Sequence, residues 1–545
     1  MTGPLWENTY RSLGIAPTLD MGASDSLVAA LELALREFAD RPAFHAPQGT
    51  LRYAELDSQS AALAAWLQVE VGVQRGDRVA VMLPNILAFP VVMLGILRAG
   101  CVQVNANPLY TAKELEHQLH DADCKAIFVY DGSSATLAQV QRNAALTQVI
   151  CVGAGLPGSG EPCASQVDPR LGDFIDLESA MAAGRFLPHT PVPLKADDLL
   201  FLQYTGGTTG LSKGAMLSHR NLLANIAQYR AVMPSMLRPG EEVLATAIPL
   251  YHIFALMVSL TYMTAGAANW LVANPRDMDG FINLLQKAKP SIFMGVNTLY
   301  AGLLAHPRLG EVDFSALRLS VGGGAAIQSA VSERWQAVTG NFIREGYGLS
   351  ETSPMVSFNP ERIAEFTATT GVPVPGTDVR LLDERDMPVE QGASGEICVK
   401  GPQVMQGYWR QSLANEQAFT ADGYFRTGDI GEFDERGLLK IVDRKKDMII
   451  VSGFNVFPNE VEEAAVRHPG LLECACVGAA DERTGEAVCL FAVKRAGATL
   501  SEQGLLEHLR QQLAAYKVPK RIVFLDELPK SGVGKILRRE IRKMA

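Results

Sequence analysis

Short apolar runs alternate with helical stretches through the first two thirds of the chain. DRVAVML (77–83) reads as a buried strand, and an apolar helical stretch follows over 86–99. CVQVNA, a helix near TAKELEHQLHDA and the strand KAIFVY continue the series. It resumes at DLLFLQYT, SIFMGV and LRLSVGGG. Continuous apolar strands interleaved with helices predict parallel βαβ units covered on both faces, and hence an α/β fold.

The pattern changes after about residue 370. DVRLLDERDMPVEQGASGEICVKGPQVMQGYW reads as short strands joined by Gly, Pro and Asp turns, predicting a β subdomain over about 370–442. A charged knot, DRKKD, then stands between apolar strands, and the domain boundary is set at Asp443–Lys446. Residues 447–545 read as a small α+β domain. CACVGA and AVCLFAVKR are its strands, and SEQGLLEHLRQQLAAY is a helix with Ser501 as N-cap.

One segment tests this soluble reading. Residues 243–275 carry no charge, and IFALMVSLTYMTAGAANWLVA is long enough to span a bilayer. Pro249, His252, Asn269 and the mixed flanking charges favour a buried helix instead. The run 79–97 is interrupted by two prolines and reads as core.

Composition narrows the function. A chain of 545 residues suits three to four units of ~150 residues. The 48% hydrophobic and 20% charged residues are those of a globular protein. A net charge of −10 speaks against a nucleic-acid binder, and any polyanionic substrate must be held by local groups. The eight cysteines, Cys101, Cys124, Cys151, Cys163, Cys398, Cys474, Cys476 and Cys489, form no CxxC pair, as expected of thiols in a reducing compartment. Neither MTGPLWENTYRSLGIAPTLD nor the terminal RKMA matches a targeting signal, so a cytoplasmic location is expected.

QYTGGTTGLSKGAMLSH (203–219) carries the densest chemistry. Its glycines allow backbone N–H groups close to a phosphate, and threonine hydroxyls and Lys213 add donors and charge. Ser212 precedes Lys213, so the Walker spacing fails. Composition alone leaves an ordinary Gly-rich turn open.

Five strings in order, YTGGTTGLSKGAMLSH, EGYGLSET (345–352), YFRTGD (424–429), IVDRKKDMIIVSGFNVFPNEVE (441–462) and LPKSGVGKILRRE (528–540), resemble the signatures of the adenylate-forming enzymes, the acyl-CoA synthetase and luciferase superfamily. PLYHIFAL, GVNTLY, SVGGG and KGPQVMQGYW are similar to bacterial long-chain fatty-acid–CoA ligases.

The resemblance implies a large N-terminal adenylation domain (1–442), a hinge (443–446) and a mobile C-terminal lid (447–545). It implies ATP, Mg²⁺ and coenzyme A as partners of a fatty acid. The acid is first joined to the α-phosphorus with loss of pyrophosphate, and CoA then displaces AMP. Thr205, Gly206, Gly207, Thr208, Thr209, Gly210 and Lys213 would hold the phosphates. Glu351 would act with Mg²⁺, together with Thr205, because a hard ion prefers oxygen ligands. Tyr347, flanked by Gly346 and Gly348, would pack on adenine, with Gly324 and Ala325 lining the same pocket. Asp429 would accept from the ribose hydroxyls with Arg444 as its partner.

Lys535 matches the adenylation lysine; without the resemblance it reads as a solvated lysine beside a basic helix. Lys446 matches the hinge, and Gly453 would approach the pantetheine tunnel after domain rotation. His252 matches a position near the substrate carboxylate, and a satisfied core histidine is the equal alternative. Relatives with a tryptophan gate carry it four residues later, where this chain has Leu256.

A medium-chain or aryl acid-CoA ligase of the same mechanism is the runner-up. An acyl-AMP ligase serving a carrier protein, a phosphotransferase and a non-catalytic carrier rank lower. Fatty-acid delivery implies peripheral contact with a membrane. Monomer and homodimer are both compatible with the sequence.

Overall fold

The computed structural model describes residues 4–141, 144–160, 166–205, 212–481 and 483–545. Two large sheets form the N-terminal part. One is seven-stranded among the described residues and carries parallel strands Arg78–Met82, Val102–Asn105, Cys124–Tyr130, Gln148–Val152 and Leu199–Thr205. At its edge Lys213–Ser218 turns back antiparallel on Leu199–Thr205, pairing Thr205 with Lys213.

The other sheet is nine-stranded among the described residues. Its parallel centre is Val243–Thr246, Ala268–Leu271, Ile292–Gly295, Leu319–Gly322 and Ile343–Gly348. Antiparallel Met355–Phe358 and Val372–Pro373 extend one side. One continuous apolar core runs through both sheets and the helices between them, and includes Phe89, Phe128, Phe201, Phe293 and Trp335. The alternating apolar runs of the sequence are therefore strands buried on both faces.

The uncharged segment 243–275 is strand Val243–Thr246, helix Ile253–Met263 and strand Ala268–Leu271. Every residue of that helix except Phe254 is buried, so it is apolar all round because it is packed all round. Among the described residues no helix is long and apolar enough to cross a membrane.

A four-stranded antiparallel sheet follows, Asp378–Leu382, Gly395–Lys400, Phe425–Phe433 and Leu439–Arg444. The C-terminal region has its own five-stranded sheet, with long strands Leu471–Asp481 and Gly485–Lys494, and its own apolar clusters. Helix Glu502–Arg510 starts at the predicted cap, where Ser501 Oγ accepts from Gly504 N, but ends before the AAY of the sequence pattern.

At the junction Asp443 accepts from Arg444 N (2.7 Å) and Asn459 N (2.9 Å). Arg538 donates to Asn459 Oδ1 and both oxygens of Glu462. These bonds tie the last strand of the four-stranded sheet, Leu439–Arg444, to helix Pro458–Val466.

Candidate active site

A cavity of about 740 Å³ opens where the C-terminal ends of strands from both sheets converge, the usual ligand position in α/β folds. Its wall includes Thr205, Lys213, His252, Gly324, Gly346, Tyr347, Gly348, Glu351, Arg444 and Lys535. Residues separated by more than three hundred positions in the sequence thus share one space.

Strand pairing places both ends of the Gly/Thr-rich segment. Thr205 and Lys213 face each other across the hairpin. Gly206, Gly207, Thr208, Thr209 and Gly210 lie outside the described residues. The returning strand is stapled to 407–409 by Met216 N to Gly407 O (2.9 Å) and Trp409 N to Gly214 O (2.8 Å). This brings the Lys213 ammonium over the Tyr408 ring, 5.1 Å from its centre. Tyr408 Oη in turn donates to Glu351 Oε1 (2.8 Å).

Glu351 is buried, and burial raises its pKa. A desolvated carboxyl with spare acceptor capacity, sharing the cavity wall with Thr205 and Lys213, has the oxygen chemistry that a hard divalent cation carried by a polyphosphate takes. Oxygens of this kind fit Mg²⁺, which Glu351 and Thr205 would hold.

Three strands bring a further polar group together beside the cavity. Tyr347 Oη donates to Asp429 Oδ2 (2.7 Å), and Arg444 Nε pairs with Asp429 Oδ1 (3.1 Å). Asp429 is buried, and burial raises its pKa against the opposing pull of Arg444. Each of its oxygens keeps a second lone pair for a further donor. Gly348 is required by close packing, since a Cβ there would sit 1.9 Å from Pro354 O.

Lys535 enters from the C-terminal region. Thr298 Oγ1 donates to Gly534 O (2.8 Å), and Ser329 Oγ donates to Glu463 (3.0 Å), docking this region on the N-terminal part. Burial, aided by the charge of Arg444, lowers the Lys535 pKa to about 8. His252 caps helix Ile253–Met263 by accepting from Phe254 N at Nδ1 (3.3 Å). Burial and the nearby Lys535 charge lower its pKa to about 3, so the ring is neutral and Nε2 carries the proton.

Four expected residues are not part of the cavity wall, and of these Asp429 sits just behind it, bonded to the wall residues Tyr347 and Arg444. Ala325 is exposed and absent from the wall, because the chain turns outward after Gly324 at φ +78°. Gly453, at φ +82°, has open space where a Cβ would stand and lies on an exposed turn of the C-terminal region. Lys446 lines a neighbouring space of about 330 Å³ with Thr427, Gly428, Arg444 and Lys445. Leu256, at the gate position, is buried and does not line the cavity.

Some site residues escape a reading of the sequence. Tyr408 sits in QGYW, where an aromatic signals only a core. His117 lines the cavity, and its Nε2 bonds Ser212 O (2.8 Å). Glu345, first residue of EGYG, accepts from Ile327 N (2.9 Å) and so pins the end of the glycine turn beside the cavity. Burial raises its pKa to about 8. The only signal for Glu345 is a carboxyl next to the glycines of a conspicuous motif.

Comparison with known proteins shows the family. Residues 31–409 match the family of AMP-binding enzymes, and 460–535 match the AMP-binding enzyme C-terminal domain. A long-chain-fatty-acid–CoA ligase of Escherichia coli O157:H7 is 45% identical over 99% of this chain and 98% of its own length. One of Bacillus subtilis (strain 168) is 36% identical over 92% of each. The crystal structure of ATP-bound MatB from Rhodopseudomonas palustris superposes with a TM-score of 0.84 at 33% identity, covering 96% of this chain and 99% of that one. By these matches over most of its length, the chain belongs to the AMP-binding enzymes.

Proposed function

We propose that this protein is an AMP-forming long-chain-fatty-acid–CoA ligase. It joins a fatty acid to the α-phosphorus of ATP, releases pyrophosphate, and passes the acyl group from AMP to the thiol of coenzyme A. The observation that carries this reading is the shared cavity. Lys213, Glu351 and Lys535 line it together with the apolar Phe254, Met257 and Val258, which follow His252 along one helix.

The roles follow from the chemistry. A carboxylate attacking a triphosphate is an anion approaching a polyanion, so cationic groups at the phosphorus lower the barrier. Lys535 orients the carboxylate and offsets charge at the α-phosphate. Lys213 and the loop hold the outer phosphates, and Tyr408 fixes Glu351. Bound Mg²⁺ supplies charge neutralisation of the phosphates. Tyr347, Asp429 and Arg444 position the nucleoside. Neutral His252, with its Nε2–H, borders the acyl carboxylate without adding charge.

In the docked arrangement Lys535 occupies the cavity while Gly453 stands clear of it. Rotation about Lys446 in the 443–446 hinge would withdraw the lysine and admit the CoA thiol. The acid would reach the enzyme through brief contact with a membrane surface, tested by co-sedimentation with vesicles in the presence of acid and ATP.

The test of function is acid-dependent AMP release from ATP and CoA, across straight-chain acids from butyrate to oleate plus benzoate and cinnamate. An optimum at long chains, with acyl-CoA identified by mass, is expected. Activity confined to benzoate and cinnamate would establish an aryl ligase instead.

A further inference from the structure

Helix Ile253–Met263 gives the apolar branch of the cavity a measurable depth. Ile253, Phe254, Met257, Val258 and Tyr262 line it at helical spacing. The first turn is at the reacting end. A Cβ on Gly323 would stand 3.3 Å from the Phe254 ring, and one on the next residue, Gly324, 2.8 Å from Lys535 Cε. At the far end Tyr262 meets Tyr229 of the neighbouring helix His219–Val232, and their hydroxyls share a hydrogen bond of 2.7 Å. Both rings are buried, and Tyr229 stacks edge-on against Phe358, another wall residue, at 6.0 Å.

We infer that the Tyr229–Tyr262 pair is a latch that closes the acyl pocket and sets how the enzyme discriminates among chain lengths. The inference rests on the fatty-acid reading above. At about 1.5 Å per residue, Ile253 to Tyr262 spans about 13 Å. An extended alkyl chain advances about 1.3 Å per carbon, so about ten carbons fill the branch with the latch shut. Longer acids separate the two hydroxyls and push their tails between the two helices.

That direction leads to the surface. The residues beside the latch, Arg230 and Thr264, form an exposed bond of 2.7 Å across the same helix pair. The tyrosine bond is a buried polar tie between the helices, and the Arg230–Thr264 bond is its exposed neighbour. A hydrogen bond between two desolvated hydroxyls holds the pocket shut without filling it, which distinguishes a latch from a wall of aliphatic side chains.

The test compares kcat/KM for acids of six to eighteen carbons in the wild type, Tyr229→Phe, Tyr262→Phe and the double variant, with melting curves to verify folding. These substitutions keep both rings and delete only the bond. The expected result is a rise of about fivefold in the ratio of sixteen-carbon to ten-carbon kcat/KM in the double variant, carried mainly by KM. Val258→Phe provides the opposite arm and should abolish preference for acids beyond about six carbons, having narrowed the branch one turn earlier.

An unchanged chain-length profile in the double variant overturns the latch while leaving the fatty-acid reading intact. A wild type that activates aryl acids and no straight-chain acid overturns the fatty-acid reading itself.

Discussion

Lys535 lies against the backbone of Gly324: a Cβ on that glycine would stand 2.8 Å from the lysine Cε and 3.2 Å from Nζ. The contact joins the turn after strand Leu319–Gly322 to the C-terminal region, and it depends on a residue with no side chain at φ +78°. Gly324→Ala should therefore displace the ammonium by a fraction of an ångström to an ångström. Adenylation should fall by about a hundredfold, the scale of such a misplacement, with a modest change in melting temperature. Pyrophosphate release measured with and without CoA checks it. Near wild-type adenylation would mean that Lys535 tolerates a shifted position.

Lys535 also predicts a pH dependence. Its pKa, lowered to about 8 by burial and Arg444, means the charged form is lost as pH rises through 8, more than two units earlier than for a free lysine. The free-enzyme profile of kcat/KM for the adenylation half-reaction should thus bend downward near pH 8. A profile flat to pH 10 would contradict this assignment.

Tyr408 holds Glu351 through a 2.8 Å bond and carries the Lys213 ammonium over its ring. Tyr408→Phe keeps the ring and removes the bond to an ionisable partner. A loss of about tenfold in adenylation is expected, together with a raised Mg²⁺ requirement. Titrating activity against Mg²⁺ separates this from a general loss of stability, which would leave the Mg²⁺ midpoint unmoved.

Lys446→Pro should act on the other half-reaction. Fixing φ at the hinge favours one arrangement of the domains, so adenylation should persist while acyl transfer to CoA collapses. Single-turnover transfer from preformed acyl-AMP measures this, and undiminished transfer would remove Lys446 from the hinge.

The architecture was largely legible in the sequence because strands buried on both faces leave an unambiguous signal. Runs such as KAIFVY and SIFMGV appear as Cys124–Tyr130 and Ile292–Gly295. Helix ends were less legible: LLEHLRQQLAAY keeps its leucine spacing past Arg510, but the helix stops there. The motifs also located most of the cavity wall, yet not its wiring. Tyr408 meets Glu351 across 57 positions, and Tyr229 meets Tyr262 across 33, each from a different element. No local periodicity encodes such pairs. Nor does a motif say where its turn points, which is why Ala325 and Gly453 fall outside the cavity while Gly324 lies inside.

The central claim is that one lysine, delivered by the C-terminal region, serves the first chemical step alone. Lys535→Ala assayed in both half-reactions tests it most directly. The account predicts that formation of acyl-AMP from palmitate and ATP is abolished, while conversion of supplied palmitoyl-AMP to palmitoyl-CoA continues close to the wild-type rate. Equal loss of both half-reactions, or retention of the first, would contradict it.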